Sequence, residues 1–313
     1  KLSKVYYMQK DYKRSKRLIE ESLSNYENFI KQYFPALSER EKAKYWNTIK
    51  GDFEFYNTLA FSNLDDFKDL SGKIYNYQLL TKALLLSSSI KIRQRIQNST
   101  DEKLKEQYNT WLQKKEMLSL ALSMSPAQLL ENEIDPGTLQ QEVERLEKEL
   151  SQRSELFGQS FENKRITYED VRKSLRPNET AIEMVRYRYF SHDFSDSVIY
   201  AALHLKENFS KPKVIMLPDG KKMETRYFKF YRNAITGKIP DEVSYGIFWK
   251  PLIDEIGQSP TIYLSADGIY NQINLEAIPT PDGRFVIDNS NIVMVSNTKD
   301  LHLRRIKKKQ AVA

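Results

Sequence analysis

Residues 261–279 read TIYLSADGIYNQINLEAIP and contain the strongest local fold signal of the chain. The apolar run 261–264 is typical of a buried strand, and Asp267 with Gly268 marks the turn at its end. A Gly-bearing turn after a strand can in principle hold a phosphate, but one glycine without a neighbouring Lys-Ser/Thr pair favours a plain strand exit, with Gly at positive φ. We interpret 218–220 in the same way.

The residues after this turn predict a compact crossover. Asn271 and Asn274 carry short amides that suit bonds to nearby backbone. Leu275, Ile278 and Pro279 should anchor the crossover to the core. Each of these residues is therefore interpreted as structural.

Outward from this stretch, the second half of the chain has the pattern of an α/β domain. Short apolar or alternating runs bounded by turn residues predict further strands at 180–190, 197–205, 214–217 and 292–295. Helical spacing appears between them at 221–234 and 241–256. Strands separated by helices favour a sheet covered on both faces.

The first half is predicted to be helical, because Gly and Pro are scarce and apolar residues recur three and four apart. Ser38 with Glu41 and Ser99 with Glu102 are capping-box patterns, and one long helix is predicted over 70–96. Ser125 and Asp135 each precede a Pro at a first helical position. We place the domain boundary in 157–164, which gives a helical domain 1–160 and an α/β domain 165–313.

Composition excludes several classes of protein. Among 313 residues there is no cysteine, so the chain holds no disulfide, thiolate metal site or thiol nucleophile. No apolar run is long enough to cross a bilayer and no signal pattern is present, so we expect a soluble, cytoplasmic protein without a membrane partner. Lys1 at the start and the apolar end after Gln310 lead us to expect an internal fragment, truncated at both ends.

The charge gives only weak support for a nucleic-acid partner. The formal net charge is +7, but most of the positive excess lies in the tail 304–309, and the remaining charges do not form a basic stripe. Arg186 and Arg188 alternate with Tyr187 and Tyr189 along one strand. That alternation fits nucleic-acid binding, and it fits an exposed sheet edge with protective charges equally well.

The histidines predict no catalytic or metal site. In the run 191–193, Ser, His and Asp are sequence neighbours, which prevents the chain of hydrogen bonds of a hydrolase triad. His204 and His302 have no second ligand at metal-binding spacing, so both are interpreted as hydrogen-bonded structural residues. We expect no cofactor and no metal.

One partial repeat occurs near the N-terminus. Val5, Met8, Tyr12 and Ser15 match the spacing of a tetratricopeptide helix pair, although Gln9 stands where that repeat has glycine. No second copy follows. A coincidental amphipathic helix explains the match as well as a last repeat unit does.

Residues 261–279, followed by 282–288 (DGRFVID) and 292–301 (IVMVSNTKDL), resemble the opening of a CHAT domain, a caspase-like peptidase module found behind tetratricopeptide repeats in bacteria. The similarity extends upstream through 176–184 (RPNETAIEM) and 245–253 (YGIFWKPLI), and covers about 40–313. Ser265-Ala266 replaces the usual Ser-Pro before Asp-Gly. The motif positions are Asp267, Gly268, Asn271, Gln272, Asn274, Leu275, Glu276 and Pro279.

The resemblance implies a parent cysteine endopeptidase that cuts a protein substrate. Its catalytic His and Cys would follow residue 313, so this chain has no catalytic residue and is expected to be inactive. Its own part would be a repeat-like helical region for a protein partner, joined to a caspase-like subdomain that supports the protease half. Two alternatives remain open: an interaction module with no protease role, and a basic nucleic-acid-binding protein, which the modest charge argues against.

Overall fold

The computed structural model describes residues 1–34, 37–82, 84, 96–97, 99–158, 165–217, 219–257, 259 and 261–310. It is a mixed α and β protein. The helices are α1 Leu2–Met8, α2 Tyr12–Tyr33, α3 Glu39–Phe61, α4 Leu70–Thr81, α5 Glu102–Ala121, α6 Pro126–Glu131, α7 Pro136–Gly158, α8 Tyr168–Ser174, α9 Gly220–Lys222, α10 Phe228–Gly237, α11 Lys250–Ile256, α12 Val286–Asn289 and α13 Lys299–Gln310. None of the helices in this part of the chain is long and apolar enough to span a membrane.

Two compact units divide the described chain. The first comprises 1–20, 52–82 and 165–313, and the second comprises 21–51 and 83–164. The division therefore falls inside α2 and α3, whereas the predicted domains follow the chain as 1–160 and 165–313. The linear division stays a prediction, and we describe each unit by itself.

The first unit contains a five-stranded mixed sheet. Its strands are β1 Glu179–Phe190, β2 Phe194–Leu205, β3 Lys213–Leu217, β4 Thr261–Ser265 and β5 Asn291–Met294. They lie in the order β3-β2-β1-β4-β5. The neighbours β1, β2 and β3 are antiparallel, whereas β4 runs parallel to both β1 and β5. All five predicted strands are thus confirmed, within three residues at each end.

Both faces of the sheet are covered, as the alternation of strands and helices predicted. On one face, Ile182 and Met184 of β1 pack with Phe248 and Trp249, which lie in a π-helical turn Tyr245–Trp249 before α11. On the other face, the Tyr187 ring stacks on Phe61 of α3, with ring centroids 5.4 Å apart. Successive side chains of a strand point to opposite faces, so β1 contributes to both layers.

At the start of the helical half, α1 and α2 are separate helices, because Lys10 between them adopts a left-handed conformation (φ 61°). Two helix boundaries differ from the predicted ones. The helix predicted over 70–96 is interrupted after Thr81, since Lys82 is extended (ψ 131°). Residues 83 and 85–95 of that prediction lie outside the described residues. The next helix is capped by Asp101, whose side chain accepts a hydrogen bond from the Leu104 N–H, rather than by Ser99.

The second unit is built around two antiparallel helices, α5 and α7. Leu104 and Tyr108 of α5 pack with Leu150 of α7 and with Ile96. Salt bridges tie both ends of the pair: Arg153 to Asp101 at 2.7 Å, and Lys114 to Glu142 at 2.7 Å. The predicted caps at Ser125 and at Asp135 are confirmed at the starts of α6 and α7.

Glu147 of α7 caps the N-terminus of α3 within this unit. Its Oε1 accepts a hydrogen bond from the Glu39 N–H at 2.7 Å. Burial raises the pKa of Glu147 to about 7, and the nearby Glu39 carboxylate adds to the rise, while the N–H bond and Lys42 and Lys115 oppose it. A carboxyl whose pKa is raised on folding stabilises the protein below its unfolded pKa, and this contribution is lost as the pH rises towards 7.

We therefore expect Glu147→Gln to raise the free energy of unfolding at pH 8 by on the order of 2 kcal/mol, with no gain at pH 4.5. The amide still offers an oxygen to Glu39, so the cap is retained. Denaturant titrations at the two pH values measure the difference. The control is Glu144→Gln in the same helix: Arg40 lowers the pKa of Glu144, so this change should slightly destabilise the protein at pH 8. Equal effects of both substitutions would contradict the prediction.

Candidate functional site

α/β proteins usually bind ligands at the carboxyl ends of their parallel strands. In the first unit, this edge of the sheet is formed by Ser265 at the end of β4, by the segment that follows β5, and by Glu183, where the parallel pairing of the longer strand β1 with β4 stops. Polar side chains gather here, as they would in an active site. Their hydrogen-bond and ion-pair partners show whether these side chains have a structural or a chemical role.

Glu183 is fully buried and forms the centre of this edge. Its Oε2 lies 3.1 Å from Lys82 Nζ, and its Oε1 accepts hydrogen bonds from the N–H and the hydroxyl of Thr298 at 2.6 and 2.7 Å. The Lys82 ammonium also donates to the Met184 and Ser265 carbonyl oxygens at 2.7 and 2.9 Å. All three N–H donors of Lys82 are therefore used. We call Lys82, Glu183 and Thr298 the buried clasp.

The neighbouring polar groups extend the buried clasp. Tyr75 of α4 forms a 2.8 Å hydrogen bond with the Thr298 hydroxyl. The amide of Asn297 donates to backbone carbonyls at the end of α4, with 3.1 Å to Gln78. Ser265 donates its hydroxyl to the Ser296 carbonyl at 3.2 Å. The network thus joins the end of α4 to the middle of β1, to the end of β4 and to the segment that follows β5.

Next to the clasp, Asp267 and Gly268 make the turn that the sequence predicted. Asp267 accepts hydrogen bonds from the Arg186 N–H at 2.9 Å and from the Gly268 N–H at 2.8 Å. Gly268 has φ +52°, and an added Cβ would overlap the Tyr200 hydroxyl. In the other turn, the left-handed residue is Asp219 (φ 49°), and Gly220 is needed for close approach to the Val198 carbonyl. The predicted positive φ at Gly220 is therefore wrong.

The Tyr200 hydroxyl connects this turn to β1 and to the helical segment after β3. It accepts a hydrogen bond from the Ile269 N–H at 2.7 Å and donates to Glu224 at 2.7 Å. Burial raises the pKa of Tyr200 well above its usual value, so the donated proton is retained. Arg186 binds the same Glu224 with two hydrogen bonds of 2.5 and 3.1 Å, and lowers the pKa of that carboxyl.

The remaining motif residues lie on or beside two short 3₁₀ helices, Gly268–Asn271 and Leu275–Ala277. Leu275 is buried, and Pro279 pairs with Phe285 in an isolated bridge. The Asn271 amide donates to the Gly268 carbonyl at 3.4 Å, and the Asn274 backbone N–H donates to the Tyr231 hydroxyl at 2.9 Å. Gln272 is exposed and Glu276 is half-buried.

Arg186 and Arg188 do not lie on a sheet edge, because β1 is the central strand. Arg186 pairs with Glu224, and Arg188 pairs with Glu54 at 2.7 Å. The exposed-edge interpretation is therefore wrong. Since both guanidinium groups bind carboxylates of the same unit, they are also poorly placed to contact phosphates.

The edge contains no group that is prepared for nucleophilic chemistry. Ser265 donates to a carbonyl oxygen rather than to a base, and neither Lys82 nor Glu183 has a free polar atom. Across the described ranges, no group of three His, Asp or Glu side chains is arranged to hold a metal ion. The sequence matches no protein-family model and no curated protein. The geometry here suits a structural junction.

Sequence reasoning missed the buried clasp, although one signal was present. Glu183 is a lone acid inside the apolar run 181–185, and such a residue in a buried strand requires a partner. Nothing local identifies that partner, since Lys82 is 101 residues earlier in the chain.

The run 191–193 forms an exposed turn closed by a hydrogen bond from the Ser191 N–H to the Asp193 carbonyl at 3.2 Å.

His204 differs from its interpretation as a hydrogen-bonded core residue. It lies on β2 with 1% of its surface exposed, and neither ring nitrogen has a hydrogen-bond partner among the described residues. The Phe209 ring packs against it at 5.0 Å. Burial lowers the pKa of His204 to about 4, and Lys206 and Lys213 lower it further. His302, in contrast, is bonded to the Ser174 hydroxyl at 2.8 Å.

This burial predicts an acid-sensitive contribution to stability. A histidine whose pKa is lowered on folding stabilises the protein above its unfolded pKa near 6.5, and the contribution is lost as the pH falls towards 4. When the pH is lowered from 7.5 to 5, the free energy of unfolding of the wild type should fall by about 2 kcal/mol more than that of His204→Leu. Urea titrations at both pH values measure this. His192→Leu removes an exposed imidazole and is the control; an equal change in both variants would refute the prediction.

Proposed function

We propose that this chain is the non-catalytic N-terminal portion of a bacterial CHAT-type cysteine endopeptidase, and that it supports the protease half and binds a protein partner. The support is the sequence resemblance over 261–279, together with the structural use of the same residues. Asp267 and Gly268 are held by Arg186 and Tyr200 at the end of β4. A turn built in this way orients the next element and does no chemistry itself.

The division of labour follows from the chemistry of the parent reaction. A cysteine peptidase needs a thiolate to attack a peptide carbonyl and a histidine that raises the thiolate fraction. Backbone N–H donors then stabilise the oxyanion. This chain contains no cysteine. Its proposed contribution is a covered sheet against which a catalytic subdomain packs.

The test begins with the coding sequence that follows residue 313 in the genome. We expect a strand-terminal His and a strand-terminal Cys within one further domain. The longer chain should then react with a thiol-directed peptidase probe, its Cys→Ala variant should not, and the 313-residue chain should stay unlabelled. If no such pair is encoded, the proposal is wrong.

A second candidate function, an interaction module with no protease role, is favoured by an apolar surface in the second unit. Met117, Leu120, Leu122 and Leu130, at the end of α5 and in α6, are all largely exposed. Exposed large apolar side chains that lie within a short stretch of sequence favour an interaction site. The double substitution Leu120→Glu/Leu122→Glu should abolish capture of a partner protein by the full chain. If this second function is right, the longer chain encoded in the genome should not react with the thiol-directed peptidase probe.

A further inference from the structure

The helical segment after β3 presents a basic face. The segment runs through α9, a π-helical turn Met223–Tyr227 and α10. Its buried side is formed by Met223, Tyr231 and Ala234, which belong to the core. The opposite, exposed side carries Lys221, Lys222, Arg226, Lys229 and Arg232. We call these five residues the basic face.

The acidic side chains of the segment leave most of this face unneutralised. Glu224 turns towards β1, where it binds Arg186, and Asp219, just before α9, pairs with Lys222. Within the described part of the chain, Arg226, Lys229 and Arg232 form no salt bridge. Arg226 instead lies over the Tyr227 ring and Arg232 over the Phe228 ring, each 5.9 Å from the ring centroid. These contacts hold the guanidinium groups in place before any partner binds.

Two exposed aliphatic side chains continue the surface at its C-terminal end. Ile235 is 55% exposed in the last turn of α10, and Ile239 is 54% exposed just after the helix. Lys238, between them, has a left-handed conformation (φ 50°), which ends the helix and turns the chain. The surface therefore combines a line of cations with a short apolar end.

We propose that the basic face, with Ile235 and Ile239, binds an acidic amphipathic helix of a partner protein. Cations that recur every three or four residues are spaced by one helical turn, about 5.4 Å. A partner helix with Glu or Asp at i and i+4 repeats at the same distance, so several carboxylates meet guanidinium or ammonium groups together. Aliphatic residues at one end of the partner cover the two isoleucines.

The apolar end distinguishes this partner from other polyanions. A phosphate backbone offers nothing that buries Ile235 and Ile239, because its contacts are made by charge. An anionic membrane would need the apolar side of the helix to enter the bilayer, but that side is already packed in the protein core. A protein helix satisfies both the cations and the isoleucines. The proposal does not depend on the protease assignment.

The experiment uses the full chain and a fluorescent synthetic peptide. The peptide has about 16 residues, Glu at every third or fourth position and two Leu at one end, so that it matches the length of the face. Fluorescence anisotropy should show binding that weakens about tenfold or more in Arg226→Glu/Lys229→Glu/Arg232→Glu. A peptide with Lys in place of Glu should bind this variant better than the wild type. Ile235→Ser/Ile239→Ser should weaken the acidic peptide several-fold.

The control variant, Lys13→Glu/Arg17→Glu/Lys103→Glu, makes the same change in net charge at scattered exposed positions and should bind the acidic peptide as the wild type does. Circular dichroism verifies that every variant is folded. A thymidine oligonucleotide and phosphatidylserine vesicles serve as competing probes. The proposal is overturned if the acidic peptide does not bind, or if the Lys peptide binds the triple-glutamate variant no better than the wild type. It is also overturned if the oligonucleotide or the vesicles bind the wild type more tightly than the acidic peptide does and lose affinity in the triple-glutamate variant.

Discussion

Replacing Lys82 by methionine is expected to lower the free energy of unfolding by about 3–5 kcal/mol, because it leaves the Glu183 carboxylate buried without a cation. Glu183 has no exposed surface, and only the N–H and hydroxyl of Thr298 remain to stabilise its charge. The carbonyl oxygens of Met184 and Ser265 lose a donor at the same time. Denaturant titration of the full chain measures the change.

The matched control is Lys250→Met, which breaks a lysine–carboxylate pair of 2.5 Å with Asp254 on the surface of α11. Both of those side chains are more than half exposed. The loss should be far smaller than that of Lys82→Met, because water solvates the remaining carboxylate. In a double-mutant cycle, Lys82→Met combined with Glu183→Leu should lower the free energy of unfolding by less than the sum of the two single losses. Equal losses for Lys82→Met and Lys250→Met would mean that Glu183 is solvated in solution.

Replacing Gly268 by alanine is expected to destabilise the protein by about 3 kcal/mol, from left-handed strain and steric overlap together. The new Cβ would overlap the Tyr200 hydroxyl and lie 2.7 Å from Arg186 Cδ. Neither neighbour can withdraw freely. Tyr200 is bonded to Glu224 and to the Ile269 N–H, and Arg186 is bonded to Glu224. Thermal and denaturant unfolding measure the loss.

Gly283→Ala separates the two causes. Gly283 has a positive φ of 82°, but an added Cβ would meet nothing within 4 Å. Its loss should be about 1 kcal/mol, since only the backbone is strained. Tyr200→Phe removes the overlapping oxygen, so adding it to Gly268→Ala should cost less than the sum of the two single changes. A Gly268→Ala loss equal to that of Gly283→Ala would contradict the packing described at this turn.

The local elements were predictable because their signals are local. The alternation of residues in β1 and β2, and the capping residues Ser38 and Ser125, appear in the structure where the sequence placed them. Periodicity and caps depend on a few neighbouring residues. The motif residues Asp267 and Gly268 likewise form the predicted turn.

Errors arose where a distant residue decides the local structure. The chain leaves the helical conformation at Lys82, whose ammonium reaches Glu183, whereas the helical pattern of the sequence continues. Arg186 and Arg188 resembled an exposed basic strand, because no local feature shows that Glu224 and Glu54 are their partners. His204 was expected to be hydrogen-bonded, but it is buried with both ring nitrogens lacking a hydrogen-bond partner among the described residues.

The sequence by itself determined the strands, most of the helices, the turn at Asp267–Gly268 and the lack of a thiol, because each depends on residue type and short spacing. Tertiary structure alone decided the order β3-β2-β1-β4-β5 and the buried clasp. Those features join residues far apart in the chain. Burial and charge pairing at such distances arise from packing, which no local pattern encodes.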